Sequence, residues 1–165
     1  MLKFSGEALA GDHSFGISPV LLSEFANQIG RMIEAGVEIG IVLGGGNIFR
    51  GKELQKVGID RITGDQMGMM ATIINALAFR DALVHQSLEA TVMSSLAVGG
   101  VAEQFDGNKA KQYLSNGQVV IFAGGTGNPL VTTDTAASLR AIEIEADILL
   151  KATNVDGVYD SDPSI

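Results

Sequence analysis

The sequence predicts an α/β protein, a three-layer αβα sandwich in which helices cover both faces of a mainly parallel central sheet. Three observations favour this fold. Apolar segments of strand length alternate along the chain with segments of helical periodicity, as is typical of parallel strands joined by helices. Three of the strand-like segments run directly into glycine-rich turns. The length of 165 residues suits one domain.

The composition is that of a folded chain. Apolar residues make up 46% and charged residues 18% of the sequence, which excludes a disordered protein. The net charge of −8 argues against a nucleic-acid partner, because that surface needs a basic patch. No cysteine is present for disulfides or thiolate metal sites. We find no signal peptide and no apolar run of transmembrane length, so we expect a cytoplasmic protein without a membrane partner.

Local signals in the first third predict strand, helix and strand. Met1–Phe4 is typical of the end of a strand. A helix should begin at Ser18-Pro19, with the serine as cap and the proline at the first helical position. Gly36 should end that helix. The apolar run Ile39–Leu43 follows and predicts a buried strand of a parallel sheet.

A second, longer helix is predicted in the middle of the chain. Thr63 and Gln66 resemble a capping box at its beginning, and it should continue to about Val84. Its apolar stripe is predicted from residues at helical spacing: Met67, Met70, Ala71, Ile74, Leu77 and Ala78.

The remaining elements are shorter. Val98–Phe105 is predicted to be irregular. The predicted strands and helices alternate, as the parallel sheet requires: strand Ala90–Met93, helix Asn108–Leu114, strand Gln118–Ala123, a helix starting near Thr135, and strand Asp147–Lys151.

Glycine-rich turns follow three predicted strands, at Ser5-Gly6, Gly44–Gly46 and Gly124–Gly127. Their backbone amides make anion-binding concavities, and parallel strands bring them to one edge of the sheet. Lys3 and Arg50 are the nearby cations that could contact phosphate. Three such turns exceed the needs of one phosphate chain, so we expect a phosphorylated donor and a phosphorylated acceptor. Neither a P-loop nor a dinucleotide fingerprint occurs.

Simpler interpretations of these residues remain open. The turn at Gly44–Gly46 could join a strand to a helix without binding a ligand. From the residues alone, Lys3 is more easily explained as an ordinary surface lysine. Asp65 could cap the long helix and compensate its dipole.

The ordered motifs of the chain carry a family resemblance. Together they resemble bacterial uridylate kinases (UMP kinases), members of the amino acid kinase superfamily. The resemblance covers essentially the whole sequence and rests on five segments: Lys3-Phe4-Ser5-Gly6-Glu7-Ala8-Leu9, Gly44-Gly45-Gly46-Asn47-Ile48-Phe49-Arg50-Gly51, Asp65-Gln66-Met67-Gly68-Met69, Thr126-Gly127-Asn128-Pro129 with Thr132-Thr133-Asp134, and Lys151-Ala152-Thr153 with Val155-Asp156-Gly157-Val158-Tyr159 and Asp162-Pro163.

The resemblance implies transfer of a phosphoryl group from ATP to UMP. The implied catalytic residues are Lys3, Arg50, Asp134 and Lys151. The implied ATP-binding residues are Lys3, Phe4, Ser5, Gly6, Gly46, Arg50, Thr153, Asn154, Tyr159 and Asp162. The implied UMP-binding residues are Gly45, Asp65, Thr126, Gly127, Asn128, Pro129, Leu130, Val131, Thr132 and Thr133. Asp134 is expected to pair with Lys3 or Lys151, and which lysine serves the transferred group stays open.

The resemblance also implies Mg²⁺, held mainly through the nucleotide phosphates, and no protein metal site. It implies a homo-oligomer, typically a hexamer, with GTP as activator and UTP as inhibitor. The GTP-responsive loop would be Gly11, Asp12, His13, Ser14, Phe15 and Gly16. Family members have further residues before Lys3 and after Ile165, so we expect one amino acid kinase-like domain, residues 1–165, incomplete at both ends with its C-terminal part missing.

Two alternatives stay open beside UMP kinase. One is another member of the superfamily that phosphorylates a carboxylate or carbamate. The other is a non-catalytic nucleotide-binding domain, which the presence of both Lys3 and Arg50 disfavours.

Overall fold

A parallel sheet forms the centre of the molecule in a computed structural model, which describes residues 1–11, 13, 15–49, 54 and 57–152. Within these residues, six strands form one sheet in the order β4-β3-β5-β2-β1-β6, and every neighbouring pair is parallel. This confirms the predicted parallel sheet. The strands are β1 (Leu2–Phe4), β2 (Gly40–Leu43), β3 (Ala90–Ser94), β4 (Glu103–Gln104), β5 (Val119–Ala123) and β6 (Leu150–Ala152).

Helices connect the strands and begin at side-chain caps where the sequence offers one. The Ser18 hydroxyl accepts a hydrogen bond from the Leu21 amide at 3.4 Å, with Pro19 at the first helical position, as predicted. The Asp106 carboxylate and the Thr132 hydroxyl cap two later helices in the same way. The described helices are α1 (Glu7–Ala10), α2 (Pro19–Glu34), α3 (Arg61–His85), α4 (Gly107–Ser115) and α5 (Thr133–Glu143).

Side chains of the central strands alternate between two hydrophobic cores, one on each face of the sheet. Ile121 of β5 packs in the core that contains α2 and α3. Its neighbours Val120 and Phe122 pack in the core that contains α4 and α5. Because successive strand residues point to opposite faces, both faces are covered, which confirms the three-layer αβα sandwich.

The beginning of α3 differs from the prediction. The Asp60 carboxylate is the cap, and it accepts hydrogen bonds from the amides of Ile62 at 2.9 Å and Thr63 at 3.2 Å. Thr63 therefore lies inside the first turn, and the predicted capping box of Thr63 and Gln66 is wrong. Asp60 lies three residues before Thr63, and its carboxylate reaches the free amides of the first turn.

The buried face of α3 is also rotated from the predicted stripe. Met70 and Ile74 are 45% and 47% exposed. The helix is apolar on most sides, so hydrophobic periodicity alone did not identify its buried face. That face carries Met69, Ala71, Thr72, Ile73, Asn75, Ala76, Phe79 and Leu83.

By length and composition alone, α3 could cross a membrane, although the sequence analysis found no apolar run of that length. Its packing explains the composition. Phe79 and Leu83 are fully buried and belong to the core that α3 shares with α2 and the sheet. A helix buried along one side by a sheet and another helix needs apolar residues over much of its surface.

The two edge strands are placed differently from the prediction. β6 begins at Leu150, later than the predicted start at Asp147, because its ladder starts where Leu2 of β1 pairs with Leu150. At the other edge, Glu103–Gln104 of the segment predicted to be irregular pairs with the end of β3. Both differences affect the edge strands of the sheet, and the central strands are not affected.

Candidate active site

The three glycine-rich turns lie side by side at one edge of the sheet. They follow β1, β2 and β5, which are neighbours in the order β5-β2-β1. Because the strands are parallel, their carboxyl ends share an edge, where ligands of open α/β sheets bind. The structure therefore brings Ser5-Gly6, Gly44–Gly46 and Gly124–Gly127 together.

Gly6 of the first turn and Gly44 of the second pack so closely that neither has room for a side chain. A Cβ on Gly6 would lie 2.7 Å from both the Gly44 oxygen and the Gly46 nitrogen. A Cβ on Gly44 would lie 2.8 Å from the Gly6 nitrogen. The Gly44 amide also donates to the Phe4 carbonyl at 3.0 Å. These glycines are required by close approach of two main chains.

A cavity of about 310 Å³ opens beside these turns, between α3 and the loop of residues 125–133. Its size lies within the range of small-molecule sites. The lining residues come from the second turn, from α3 and from the 125–133 loop: Gly45, Gly46, Phe49, Arg61, Gly64, Asp65, Gly68, Met69, Thr72, Gly125, Thr126, Asn128, Leu130, Val131, Thr132 and Thr133.

Asp65 connects the two sides of this cavity. The Arg61 Nε donates to both carboxylate oxygens of Asp65 at 3.0 Å, and the Leu130 amide donates to one of them at 2.8 Å. Leu130 has a φ of 67°, which is unfavourable for a leucine and is typical of functional loops. Because Asp60 already caps α3, the interpretation of Asp65 as a helix cap is wrong.

Buried side chains fix the beginning of the 125–133 loop. The Thr72 hydroxyl accepts a hydrogen bond from the Gly124 amide at 2.8 Å. The Ser95 hydroxyl donates to the Gly125 carbonyl at 2.8 Å and accepts from Arg140 at 2.7 Å. Arg140 is only 7% exposed, and its guanidinium lies 3.7 Å from the centre of the Phe105 ring. This part of the cavity wall is therefore rigidly supported.

Asp134 pairs with two lysines at the end of the sheet. Its Oδ1 lies 2.8 Å from the Lys3 Nζ, and its Oδ2 lies 2.8 Å from the Lys151 Nζ. The two lysines are paired neighbours on β1 and β6. Lys3 is only 9% exposed, so its interpretation as an ordinary surface lysine is wrong.

The charges of this triad set the ionisation of the carboxylate. Partial burial works to raise the pKa of Asp134, but hydrogen bonds from Lys151 and Lys3 and the charges of both lysines outweigh it, so the pKa lies below its ordinary value. Asp134 also lies in the first turn of α5, where a negative charge is favourable. A carboxylate that stays ionised keeps both lysines in place beside the glycine turns.

Most residues predicted for one ligand meet at the cavity. Of the ten predicted UMP-binding residues, Gly127 and Pro129 are the two outside its lining. Of the predicted ATP-binding residues, Ser5 and Gly6 lie in the adjacent turn. The Phe4 ring stacks on Phe25 at 5.3 Å within the core, so only the main chain of Phe4 can face a nucleotide. Arg50, Thr153, Asn154, Tyr159 and Asp162 lie outside the described residues.

The predicted regulatory loop contacts the second glycine turn. The Gly16 amide donates to the Asn47 carbonyl at 2.9 Å, and the Asn47 side chain donates to the Gly16 carbonyl at 2.8 Å. The Phe15 side chain is largely exposed. Asp12 and Ser14 lie outside the described residues.

Several lining residues were not predicted from the sequence: Phe49, Arg61, Gly64, Gly68, Met69, Thr72 and Gly125. Gly64, Gly68 and Thr72 could have been found, because they are four residues apart along one predicted helix and therefore share a face. Met69 is buried and also borders the cavity.

The curated proteins that are similar to this chain include enzymes named uridylate kinase. The model of the amino acid kinase family matches residues 1–165. Uridylate kinases of Saccharophagus degradans and Legionella pneumophila (strain Corby) are 55% and 60% identical over 163 residues, 99% of this chain. The chain spans 66% of the length of these curated relatives.

Two solved structures of enzymes named UMP kinase are also similar to this chain. A crystal structure of UMP kinase from Bacillus anthracis superposes with a TM-score of 0.93 at 43% identity, over 99% of this chain and 68% of that one. The UMP kinase of Ureaplasma parvum superposes with a TM-score of 0.92 at 41% identity, over 99% of this chain and 70% of that one.

Proposed function

The chain belongs to the amino acid kinase family, and we propose that its protein is a UMP kinase, which transfers the γ-phosphoryl group of ATP to UMP and gives UDP and ADP. One observation carries the proposal: eight of the ten residues predicted to bind UMP line a single cavity next to two closely packed glycine turns. Relatives named uridylate kinase support the choice of UMP as the acceptor.

UMP is the proposed occupant of the cavity. Asp65 is an acceptor-only carboxylate already oriented by Arg61 and by the Leu130 amide. It has lone pairs left for a ribose hydroxyl. Thr126 and Asn128 add polar groups from the opposite side. The amide of Gly45 is suited to the acceptor phosphate, because glycine lets a ligand approach the main chain. Gly46, predicted to contact ATP, lines the same cavity and would lie between the two proposed phosphates.

ATP is the proposed occupant of the neighbouring turn, Ser5-Gly6, with Lys3 beside its phosphates. Phosphoryl transfer needs positioning and charge neutralisation more than a covalent group. Lys3 supplies positive charge next to the glycine turns, and its link to Asp134 limits where its ammonium group can go. In this arrangement the donor and acceptor phosphates meet across the contact between Gly6 and Gly44, where Lys3 stabilises the developing charge.

Magnesium is the proposed cofactor, entering with the nucleotide. The residues present fit such an ion, because Mg²⁺ is commonly held through phosphates and water with few protein ligands. Among the described residues, no three His, Cys, Asp or Glu side chains lie together, and Asp134 is committed to two lysines. When bound, the ion would neutralise the charge of the phosphates.

The family resemblance also implies a pathway, a compartment, an oligomeric state and regulators, and we propose these for the protein. The protein would act in pyrimidine nucleotide biosynthesis in the cytoplasm, as a homohexamer activated by GTP and inhibited by UTP. The contacts of Gly16 with Asn47 place one described end of the Gly11–Gly16 loop beside the second glycine turn, which supports a regulatory role for that loop.

The decisive experiment combines binding and turnover. Calorimetric titration of the chain with UMP, and then with an ATP analogue and Mg²⁺, should give saturable UMP binding. Phosphorylation of UMP should then be compared with phosphorylation of glutamate, aspartate and carbamate. A preference for a carboxylate or carbamate acceptor would show that the protein is a different member of the amino acid kinase superfamily. Nucleotide binding without turnover of any acceptor, in a chain extended to the full length of the relatives, would indicate a non-catalytic domain.

Asp65→Asn provides the matched variant for this experiment, because asparagine keeps the size of the side chain and removes its charge. It should raise the UMP concentration needed for half-maximal rate by about tenfold, which corresponds to the loss of one charged hydrogen bond. An unchanged UMP requirement would remove Asp65 from the proposed acceptor site.

A further inference from the structure

We infer that Asn47 and Asn75 form a buried amide pair that positions the Gly44–Gly46 turn for phosphate binding, a role that rests on the proposed function. Asn47 follows the turn directly, and Asn75 lies in the middle of α3. The two side chains are 2% and 0% exposed. Neither was singled out by the sequence motifs as a ligand-binding residue.

The two amides form a closed set of hydrogen bonds. The Asn75 Nδ2 donates to the Asn47 Oδ1 at 2.7 Å, and the Asn47 Nδ2 donates to the Asn75 Oδ1 at 3.0 Å. The second donor of Asn75 goes to the Gly44 carbonyl at 2.7 Å, and that of Asn47 goes to the Gly16 carbonyl at 2.8 Å. Every N–H of both side chains is therefore used.

This arrangement orients the peptide group that begins the turn. The peptide bond between Gly44 and Gly45 is trans, so the Gly44 carbonyl and the Gly45 amide N–H lie in one plane and point in opposite directions. By holding the carbonyl, Asn75 also fixes the direction of the Gly45 amide. Because Gly45 lines the cavity, the hydrogen bond from α3 sets an anion-binding group without touching the ligand.

Stability alone does not account for the pair. Buried amides gain little over a well-packed apolar residue, because their desolvation offsets most of their hydrogen bonding. The surrounding residues of α3 in the same core, such as Ala76 and Phe79, are apolar. The hydrogen bond from the Asn75 side chain to the Gly44 carbonyl explains why an amide occupies position 75.

The pair also joins the turn to residue 16. Asn47 holds Gly16 twice, through its main-chain carbonyl and through its side chain. Displacement of Gly16 would therefore act on the same amide that supports Asn75. Asn47→Asp, which removes the donors to Gly16 and Asn75, should loosen both the turn and the segment that follows Gly16.

Hydrogen exchange of the ligand-free chain tests the positioning role without requiring turnover. Asn75→Asp keeps the size of the side chain and removes both donors. We expect amide exchange of residues 44–49 to accelerate by tenfold or more, the factor that corresponds to about 1.4 kcal/mol. Leu83→Ala, a buried position further along α3, is the matched control, because it destabilises the same helix without contacting the turn.

Turnover then separates positioning from folding. At a temperature where both variants are folded, Asn75→Asp should lower kcat for UMP by at least tenfold, whereas Leu83→Ala should stay within about twofold of the wild-type chain. The milder Asn75→Ser, which keeps one donor, should be intermediate in both measurements. If Asn75→Asp does not fold, Asn75→Ser tests the inference in its place.

The outcomes are distinguishable from failure of the proposed function. A wild-type chain extended to the full length of the relatives that does not phosphorylate UMP would remove the function, while the exchange data would still report on the amide pair. Exchange at residues 44–49 that stays unchanged in the Asn75 variants overturns the inference. Exchange that rises equally along the whole of α3, as in Leu83→Ala, also overturns it, because Asn75 would then be a structural residue only.

Discussion

Replacing Gly68 by alanine should make the chain more stable and weaken its binding of UMP. Gly68 lies inside α3 and lines the cavity. A Cβ built on it would have no neighbour within 4 Å among the described residues. Packing of the chain therefore does not require glycine here, although glycine within a helix lowers stability relative to alanine. We expect that the open space is occupied by UMP.

The two effects have opposite signs and can be scaled separately. Alanine is favoured over glycine inside a helix by about 0.8–1.0 kcal/mol, which should raise the Tm of a chain of this size by roughly 2–4 °C. A methyl group added to an occupied space costs about 1–3 kcal/mol in displaced or strained contacts. The dissociation constant of UMP should therefore rise by roughly five- to hundredfold.

Thermal unfolding and calorimetric titration with UMP should be measured on the same preparations. Gly30→Ala is the matched control. Gly30 lies inside α2, and a Cβ there would meet the Leu88 Cδ1 at 3.6 Å, an ordinary contact. This variant should gain similar stability because it removes the same helix-interior glycine cost. Its UMP affinity should not change, because Gly30 does not line the cavity.

Two results would refute the reasoning. If Gly68→Ala raises the Tm and leaves UMP binding unchanged, the space beside Gly68 is not the acceptor site. If both glycine variants weaken UMP binding equally, a general change in helix rigidity explains the loss, and steric exclusion in the cavity does not.

Three further predictions concern the groups that support the site. Asp134→Asn should lower kcat and lower the Tm at pH 7. The pKa of Asp134 is depressed in the folded state. The Tm difference between the wild-type and Asp134→Asn chains should therefore shrink as the pH falls below about 4, where the carboxyl of the unfolded chain becomes protonated. A Tm difference that stays constant from about pH 7 to 3 would contradict this prediction. Thr72→Val should cost about 1–3 kcal/mol in urea unfolding, because the Gly124 amide loses its buried acceptor, and Thr72→Ser should retain most of that stability. Arg140→Met should weaken UMP binding by about tenfold in calorimetry by releasing Ser95, while Glu143→Gln, which keeps that bond, should bind UMP normally.

The sequence predicted the layered fold and the meeting of the glycine turns for a simple physical reason. Parallel strands place all their carboxyl ends on one edge, so turns at Ser5-Gly6, Gly44–Gly46 and Gly124–Gly127 had to lie on that edge once the sheet was accepted. That they are neighbours depends on the strand order β5-β2-β1, which the sequence did not predict. The cap of α2 at Ser18 was equally local and needed no tertiary information.

Tertiary contacts determined what the sequence could not predict. The buried face of α3 was missed because the helix is apolar on most sides, and only the sheet decides which residues it covers. The role of Asn75 depends on a carbonyl 31 residues away in the chain. The partners of Asp134 could be suggested but not chosen, because both lysines reach it only when β6 lies beside β1.

The short helix α5 acts as a spacer between two parts of the site. Its first turn carries Asp134, which sets the lysines beside the donor turn, and Arg140 near its other end sets the wall of the cavity through Ser95. These two residues are six positions apart in the sequence, about 9 Å along a helix axis. One inserted or deleted residue between them would rotate one end by about 100° relative to the other. Substitutions at the exposed positions Ser138 and Leu139 are therefore tolerable where insertions and deletions are not, because the length of this helix fixes how far apart the two halves of the site lie.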